Sequence, residues 1–188
     1  MKTRTILGIS GSIREPSTQQ TILKTIGEML PVGIHLSCEA NIAGLPWFNP
    51  DLDGEGSEAP PPVKQFRERI READAVVIST PEYVFSLPGV LKNALEWTVS
   101  QEVLSWKPVA FVVASASGEK AFESLDVILK TLTQQPVPRD CRLLVRGGRG
   151  KFTGGVLTDP QLRTDLENLT RALVRETDRP PFGINQPS

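Results

Sequence analysis

Histidine is almost absent from this chain: one residue, His35, in 188. Any site assembled from several histidines is thereby excluded. Cysteine is nearly as scarce. Cys38 and Cys141 lie far apart, each inside an apparent strand, and read as reduced core thiols in a cytosolic protein. Neither sign of charge prevails: 21 Lys and Arg face 22 Asp and Glu, for a formal net charge of -1. No global pull toward nucleic acid or a membrane surface follows from that balance. Long hydrophobic runs are missing too. The apolar stretch behind Met1-Lys2-Thr3-Arg4 covers only residues 6–9, too short for a signal-peptide core, and no segment approaches a membrane span. The expectation is a cytoplasmic protein with neither a nucleic-acid nor a membrane partner.

What is present is an alternation of apolar and amphipathic segments, long enough for one α/β domain over residues 1–188. Residues 5–9 form a buried strand that runs into a Ser/Gly loop. Ile22, Leu23, Ile26 and Leu30 share one helix face between residues 17 and 30, and Pro31 stops that helix. Val32, Ile34, Leu36 and Cys38 alternate with polar residues, as in a strand that turns His35 to solvent. Residues 41–62 make a long Gly/Pro/Asp/Asn-rich loop, a length that is usually functional or mobile. A helix is expected over 63–73, a wholly apolar central strand at 75–78 and a helix from Gly89. A strand at 109–113, a helix over 120–132, an edge strand at 141–145 and a helix capped by Asp159-Pro160 follow. Residues 180–188 read as a loose tail. Five strands, each followed by a helix, imply a parallel sheet with right-handed crossovers. Ligands of such sheets sit at the carboxyl ends of the strands, which directs attention to the loops near Ser10, Pro81 and Ser115.

The first of these loops reads Gly8-Ile9-Ser10-Gly11-Ser12-Ile13-Arg14-Glu15-Pro16-Ser17-Thr18-Gln19. It has neither the Gly-Lys-Ser/Thr ending of a Walker A loop nor the three glycines of a dinucleotide fingerprint. Its hydroxyls surround one arginine at the start of a helix, a chemistry suited to a terminal phosphate monoester. Gly11 would let the backbone approach such a ligand closely. An ordinary strand–helix turn with Ser17 as N-cap is the plainer alternative.

The second loop, Pro81-Glu82-Tyr83-Val84-Phe85-Ser86-Leu87-Pro88-Gly89-Val90-Leu91-Lys92-Asn93-Ala94, resembles the Pro-Glu-Tyr-Asn … Pro-Gly-x-Leu-Lys-Asn-Ala signature of the NAD(P)H-dependent FMN reductases. Gly8 to Arg14 resembles their Gly-x-Ser-Gly-Ser-x-Arg loop, and Phe48-Asn49-Pro50-Asp51-Leu52 lies between the two as in that family. The resemblance implies a flavodoxin-like three-layer sandwich with a five-stranded parallel sheet in the order 2-1-3-4-5. It implies non-covalent FMN, with Ser10, Ser12, Arg14 and Ser17 on the phosphate. Pro81, Glu82, Tyr83 and Val84 would line the ring, mostly through backbone groups. NADPH or NADH would supply hydride, and a quinone, azo compound, metal oxyanion or flavin would accept electrons. The flavin carries that chemistry, so no catalytic side chain is expected, and the family's homodimers or homotetramers are carried over.

Three positions depart from the family pattern. Gln19 stands where an asparagine is frequent, an extra phosphate or capping amide with a longer reach. Val84 replaces the asparagine after Tyr83, which removes a side-chain bond to the flavin but leaves a backbone one. The segment 114–120 holds a single glycine, with Ser115 and Ser117 as the remaining donors. The cluster Arg139, Arg142, Arg146, Arg149 and Lys151 reads as a charged edge strand rather than a seat for NADPH phosphates. A non-enzymatic electron carrier or flavin sensor is the alternative function. Carriers are usually strongly acidic to dock partners, unlike this chain.

Overall fold

The computed structural model describes residues 3–39, 42–54 and 56–179. The tail expected at 180–188 lies outside them. Five strands, β1 (Arg4–Ser10), β2 (Ile34–Glu39), β3 (Ala75–Thr80), β4 (Val109–Ser115) and β5 (Arg142–Arg146), form one parallel sheet in the order β2-β1-β3-β4-β5. The central strands β3 and β4 carry Val76, Val77, Ile78, Phe111 and Val112 and are sealed on both faces. Their apolar runs are what a sheet covered on both sides demands. Five helices flank it: α1 (Thr18–Met29), α2 (Pro61–Glu72), α3 (Gly89–Glu96), α4 (Glu119–Thr133) and α5 (Pro160–Thr177). Helix α5 packs beside α1, and the right-handed crossovers put α2, α3 and α4 on the other face. This is the three-layer flavodoxin-like arrangement.

Each helix starts where local chemistry dictates. Ser17 caps α1, its hydroxyl accepting from the Gln19 N–H at 3.1 Å. Asp159 caps α5 through the Leu162 N–H at 2.7 Å, with Pro160 in the first turn. Prolines open α2 as well, since a missing N–H costs nothing in a first turn.

The long loop over residues 41–62 is fastened rather than loose in its described part. Buried Asp53 pairs with buried Arg67 of α2, and the Ser100 hydroxyl donates to the same carboxylate at 2.7 Å. Arg67 Nε also donates to the Trp97 carbonyl at 2.6 Å, with its guanidinium over the indole. Farther along, Asn93 Nδ2 and Trp97 Nε1 both donate to the Pro46 carbonyl, and Asn93 Oδ1 accepts from the Phe48 N–H.

Some expectations change. Val32 is fully exposed, in a turn that Gly33 makes with φ +90°, so β2 begins only at Ile34. Cys38 is exposed near the end of edge strand β2 and is not a core thiol, whereas Cys141 is buried in a short turn before β5. A small antiparallel hairpin, β6 (Phe152–Thr153) with β7 (Val156–Leu157), turns through Gly154 and Gly155 and was not foreseen.

Candidate functional site

At the carboxyl ends of β1, β3, β4 and β5 lies a cavity of about 470 Å³, within the range of small-molecule pockets. It sits at the switch point, since the chain leaves β1 toward β2 on one side and returns to β3 on the other. Its walls are Ser12, Arg14 and residues 16–19 from the loop after β1 (the first loop), residues 81–83 from the loop after β3 (hereafter the third) and residues 114–116 from the loop after β4 (the fourth). Gly147 and Gly148 close it beyond β5.

The first loop is a chain of turns locked by its own serines. Ser10 Oγ donates to the Ser12 carbonyl at 3.0 Å and accepts from the Ser12 N–H. Ser12 Oγ accepts from the Arg14 N–H at 3.3 Å. Ser10 therefore shapes the loop from behind and does not line the cavity. Gly11 is required for another reason than ligand approach: a Cβ there would lie 2.2 Å from Thr80 Oγ1. The loop rests directly on the end of β3, where the Gly11 N–H donates to the Ser79 carbonyl at 2.7 Å. The first turn of α1 opens onto the cavity, so its N–H groups and partial positive charge face any anion placed there. Arg14 is exposed at the rim, and its guanidinium forms no hydrogen bond or ion pair among the described residues.

Gln19 lines the cavity, and its side chain is anchored at both ends. Nε2 donates to the Ala114 carbonyl of β4 at 3.0 Å, and Oε1 accepts from Ser79 Oγ of β3 at 2.8 Å. It ties the start of α1 to two strand ends.

In the third loop Glu82 does what its sequence position does not announce. Its Oε2 accepts from the Ala121 N–H at 2.9 Å, and its Oε1 accepts from Ser117 Oγ at 3.1 Å and from the Gly118 N–H at 3.3 Å. The N-cap position of α4 is Gly118, at φ +94°, which has no side chain to cap with. A carboxylate from another loop supplies the cap instead. The Ala121 N–H, then the Ser117 hydroxyl and the Gly118 N–H, hold the Glu82 carboxyl below the usual carboxylate range.

Beyond it, Tyr83 and Ser86 exchange two backbone hydrogen bonds of 3.0 Å around Val84 and Phe85, at φ +51° and +58°. That is a primed turn, which favours Asn or Gly, occupied here by a β-branched and an aromatic residue. Val84 is 95% and Phe85 77% exposed, and neither lines the cavity. Tyr83, half exposed, lies at the mouth. Ser115 lines the wall opposite.

Of the ten expected site residues the structure brings together Ser12, Arg14, Ser17, Gln19, Pro81, Glu82, Tyr83 and Ser115, and leaves Ser10 and Val84 outside the lining. Thr18 of the first loop and Ala114 and Ala116 beside Ser115 also line the wall, and Pro16, Gly147 and Gly148 belong to it unforeseen. Gly147, at φ +65°, turns the chain after β5, and the Gly-Gly pair behind the edge strand was its signal. The basic cluster is largely neutralised: Arg142 pairs with Asp126, Arg146 with Glu119 and Lys151 with Asp159.

Residues 4–145 match the family model described as NADPH-dependent FMN reductase. An NAD(P)H-dependent FMN reductase of Pseudomonas aeruginosa is 42% identical over 113 residues, 59% of this chain and 60% of that protein. A quinone reductase of Escherichia coli K12 is 34% identical over 58% of this chain and 59% of its own length. The chain thus spans about 60% of these relatives. A quinone reductase of Pseudomonas putida aligns farther, at 34% identity over 69% of this chain and 70% of its own. Among solved structures, FerB, a flavoenzyme NAD(P)H:(acceptor) oxidoreductase of Paracoccus denitrificans, shares the fold with a TM-score of 0.73. It is 24% identical, over 93% of this chain and 97% of that one. The family match extends from β1 through the third and fourth loops into β5, and the chain belongs to the NADPH-dependent FMN reductase family.

Proposed function

We propose that this chain is an NAD(P)H-dependent oxidoreductase that holds FMN in the 470 Å³ cavity and hands electrons to a small-molecule acceptor, a quinone in the first instance. The observation that carries the reading is Arg14. A guanidinium without a partner among the described residues lines the same cavity as the first turn of α1, at the switch point, and the donor set fits a phosphate monoester. The Ser12 hydroxyl, the Ser17 hydroxyl hydrogen and the first-turn N–H groups of α1 would hold the phosphate with Arg14. Residues 81–83 and Ser115 would flank the ring.

FMN, when bound, supplies a two-electron carrier that takes hydride from NADPH or NADH and returns the electrons to the acceptor. The residues of this chain set the geometry. Gln19 fixes the height of α1 against β3 and β4. Glu82 holds the third loop against α4, so that the walls on either side of the ring keep a constant separation. Such preorganisation is what hydride transfer between stacked rings requires. The exposed apolar turn of Tyr83, Val84 and Phe85 at the mouth supports association into a homodimer or homotetramer. No helix among the described residues is long and apolar enough to cross a membrane.

The test is an absorbance spectrum of the purified chain after FMN is added, then anaerobic NADPH. Flavin bands that form and bleach within seconds support the reductase. Bands that form and persist refute nicotinamide-dependent reduction and favour the carrier or sensor. Failure to retain flavin at micromolar concentration refutes the cofactor assignment.

A further inference from the structure

A second cavity, of about 830 Å³, lies at the opposite end of the sheet. Its walls come from the amino ends of β4 and β5 at Val109 and Arg142, the α4–β5 connection at Pro136 and Val137, Trp106, and the carboxyl end of α5 at Glu176. The seven residues of β4 separate it from Ser115 by roughly 20 Å at about 3.3 Å per residue. Nothing in the reductase reading uses it.

Three observations point to an occupant. Among the described residues, Arg142 Nε and Glu176 Oε1 are the buried side-chain polar atoms left without a hydrogen-bond partner, and both residues line this one cavity. Arg142 Nη1 is engaged by Asp126 at 2.8 Å, and Glu176 Oε2 by Arg179 at 2.6 Å. Oε1 comes no nearer than 3.9 Å to Arg175. Buried polar groups almost always find partners, so an orphaned donor and an orphaned acceptor around one space mark unmet bonding capacity. Second, the Arg139 guanidinium at the exposed rim makes no hydrogen bond or ion pair among the described residues. Third, cations outnumber carboxylates around the cavity, with Lys107, Arg139, Arg142 and Arg179 against Asp74 and Glu176. Bound water would meet the two orphaned atoms. It would leave most of this volume, walled by Pro108, Val109, Pro136, Val137 and the Trp106 indole, without contact.

We propose that this cleft binds a small aromatic hydroxy acid. Its ring packs against Trp106 and the proline–valine wall, its carboxylate accepts from Arg139 and Arg142, and its hydroxyl donates to Glu176. Both orphaned atoms are shielded from water, so entry requires a side-chain rotation. Arg142, with 27% of its side chain exposed, has that freedom.

The probe is 4-hydroxybenzoate, titrated into the ¹⁵N-labelled full chain with and without added FMN. Saturable shifts are expected at the Trp106 indole and at the amides of Gln134, Gln135, Val137, Arg139, Arg142 and Glu176. Phenol, which lacks the carboxylate, and Arg139→Ala should each bind about tenfold more weakly or worse, the factor for one lost charge-assisted hydrogen bond. Arg139 is exposed and unpaired, so that variant keeps the fold. Glu176→Leu, of similar size but without an acceptor, should erase the preference for 4-hydroxybenzoate over benzoate. Absence of saturable shifts, shifts confined to residues 12–19 and 81–83, or unchanged affinity in Arg139→Ala would each overturn the proposal. Flavin retention reads the reductase site separately.

Discussion

Replacing Glu82 by alanine should loosen both the helix that its carboxylate caps and the loop that carries it. Helix α4 begins at a glycine, and its first N–H groups rely on this one carboxylate: Ala121 at 2.9 Å and Gly118 at 3.3 Å, with the Ser117 hydroxyl at 3.1 Å. Loss of an N-cap acceptor costs roughly 0.5–2 kcal/mol, and loss of a negative charge at a helix N-terminus roughly 0.3–1 kcal/mol more. The site is partly open to water, so the sum is best placed at about 1.5 kcal/mol. For a chain of this size, that lowers Tm by about 3–6 °C. Glu82→Gln keeps one acceptor and should lose about half as much. Because the folded-state pKa of Glu82 lies below its unfolded value, the stabilisation is complete above the unfolded pKa of about 4.3. It is lost as the pH falls through the folded value. Thermal melts of wild type and Glu82→Ala should therefore differ at pH 7 and converge only as the pH falls below the folded value, with FMN held less tightly by the variant throughout. Equal melting at pH 7, or a gap that persists unchanged in acid, would refute the capping role.

Arg14→Ala should weaken FMN binding by about 1.5–3 kcal/mol, the scale of a lost charged hydrogen bond. Lys92→Ala, which removes only an exposed pair with Glu96, should leave flavin titrations unchanged. Val84→Asn should raise Tm, because asparagine accepts the left-handed backbone at φ +51° that costs a β-branched residue about 1 kcal/mol or more; a lower Tm would contradict the assigned turn. Asp53→Asn should cost about 3–5 kcal/mol in urea unfolding, since it leaves Arg67 buried without its counter-charge. In a thiol-reagent assay near pH 8, Cys38 should react in the native state. Cys141, its thiol pushed up to about 12 mainly by burial, should react only after denaturation; two native equivalents would be inconsistent with this placement.

The elements were legible because their burial imposes a period. Ile22, Leu23 and Ile26 mark a helix stripe, and the unbroken run at 75–78 marks a strand covered on both faces. Ser12, Ser17 and Arg14 were legible as cavity residues because one short loop holds them. Gln19 and Glu82 were legible as cavity residues too, but their hydrogen-bond partners were not. Gln19 binds Ser79 and Ala114, 60 and 95 residues away, and Glu82 binds Ser117 and Ala121, 35 and 39 residues away. Those partners exist only once the sheet has brought the strand ends together, and no local pattern encodes them. Ser10 illustrates the converse: a hydroxyl in the right motif closes a turn with Ser12 and never reaches the cavity. The hairpin of β6 and β7 has strands of two residues, too few to show alternation.

The buried pair of Asp53 and Arg67, with Ser100 beside it, has a bearing on how such a chain diversifies. It anchors a stretch whose composition suits a flap, and that stretch contributes nothing to the cavity wall. Substitutions are therefore free to accumulate at the exposed turn of Tyr83, Val84 and Phe85 and at Ala116. The scaffold behind them tolerates little. Proteins that descend from this one should differ first in the shape of the cavity mouth, and only much later in the path of the chain from Pro46 to Asp53.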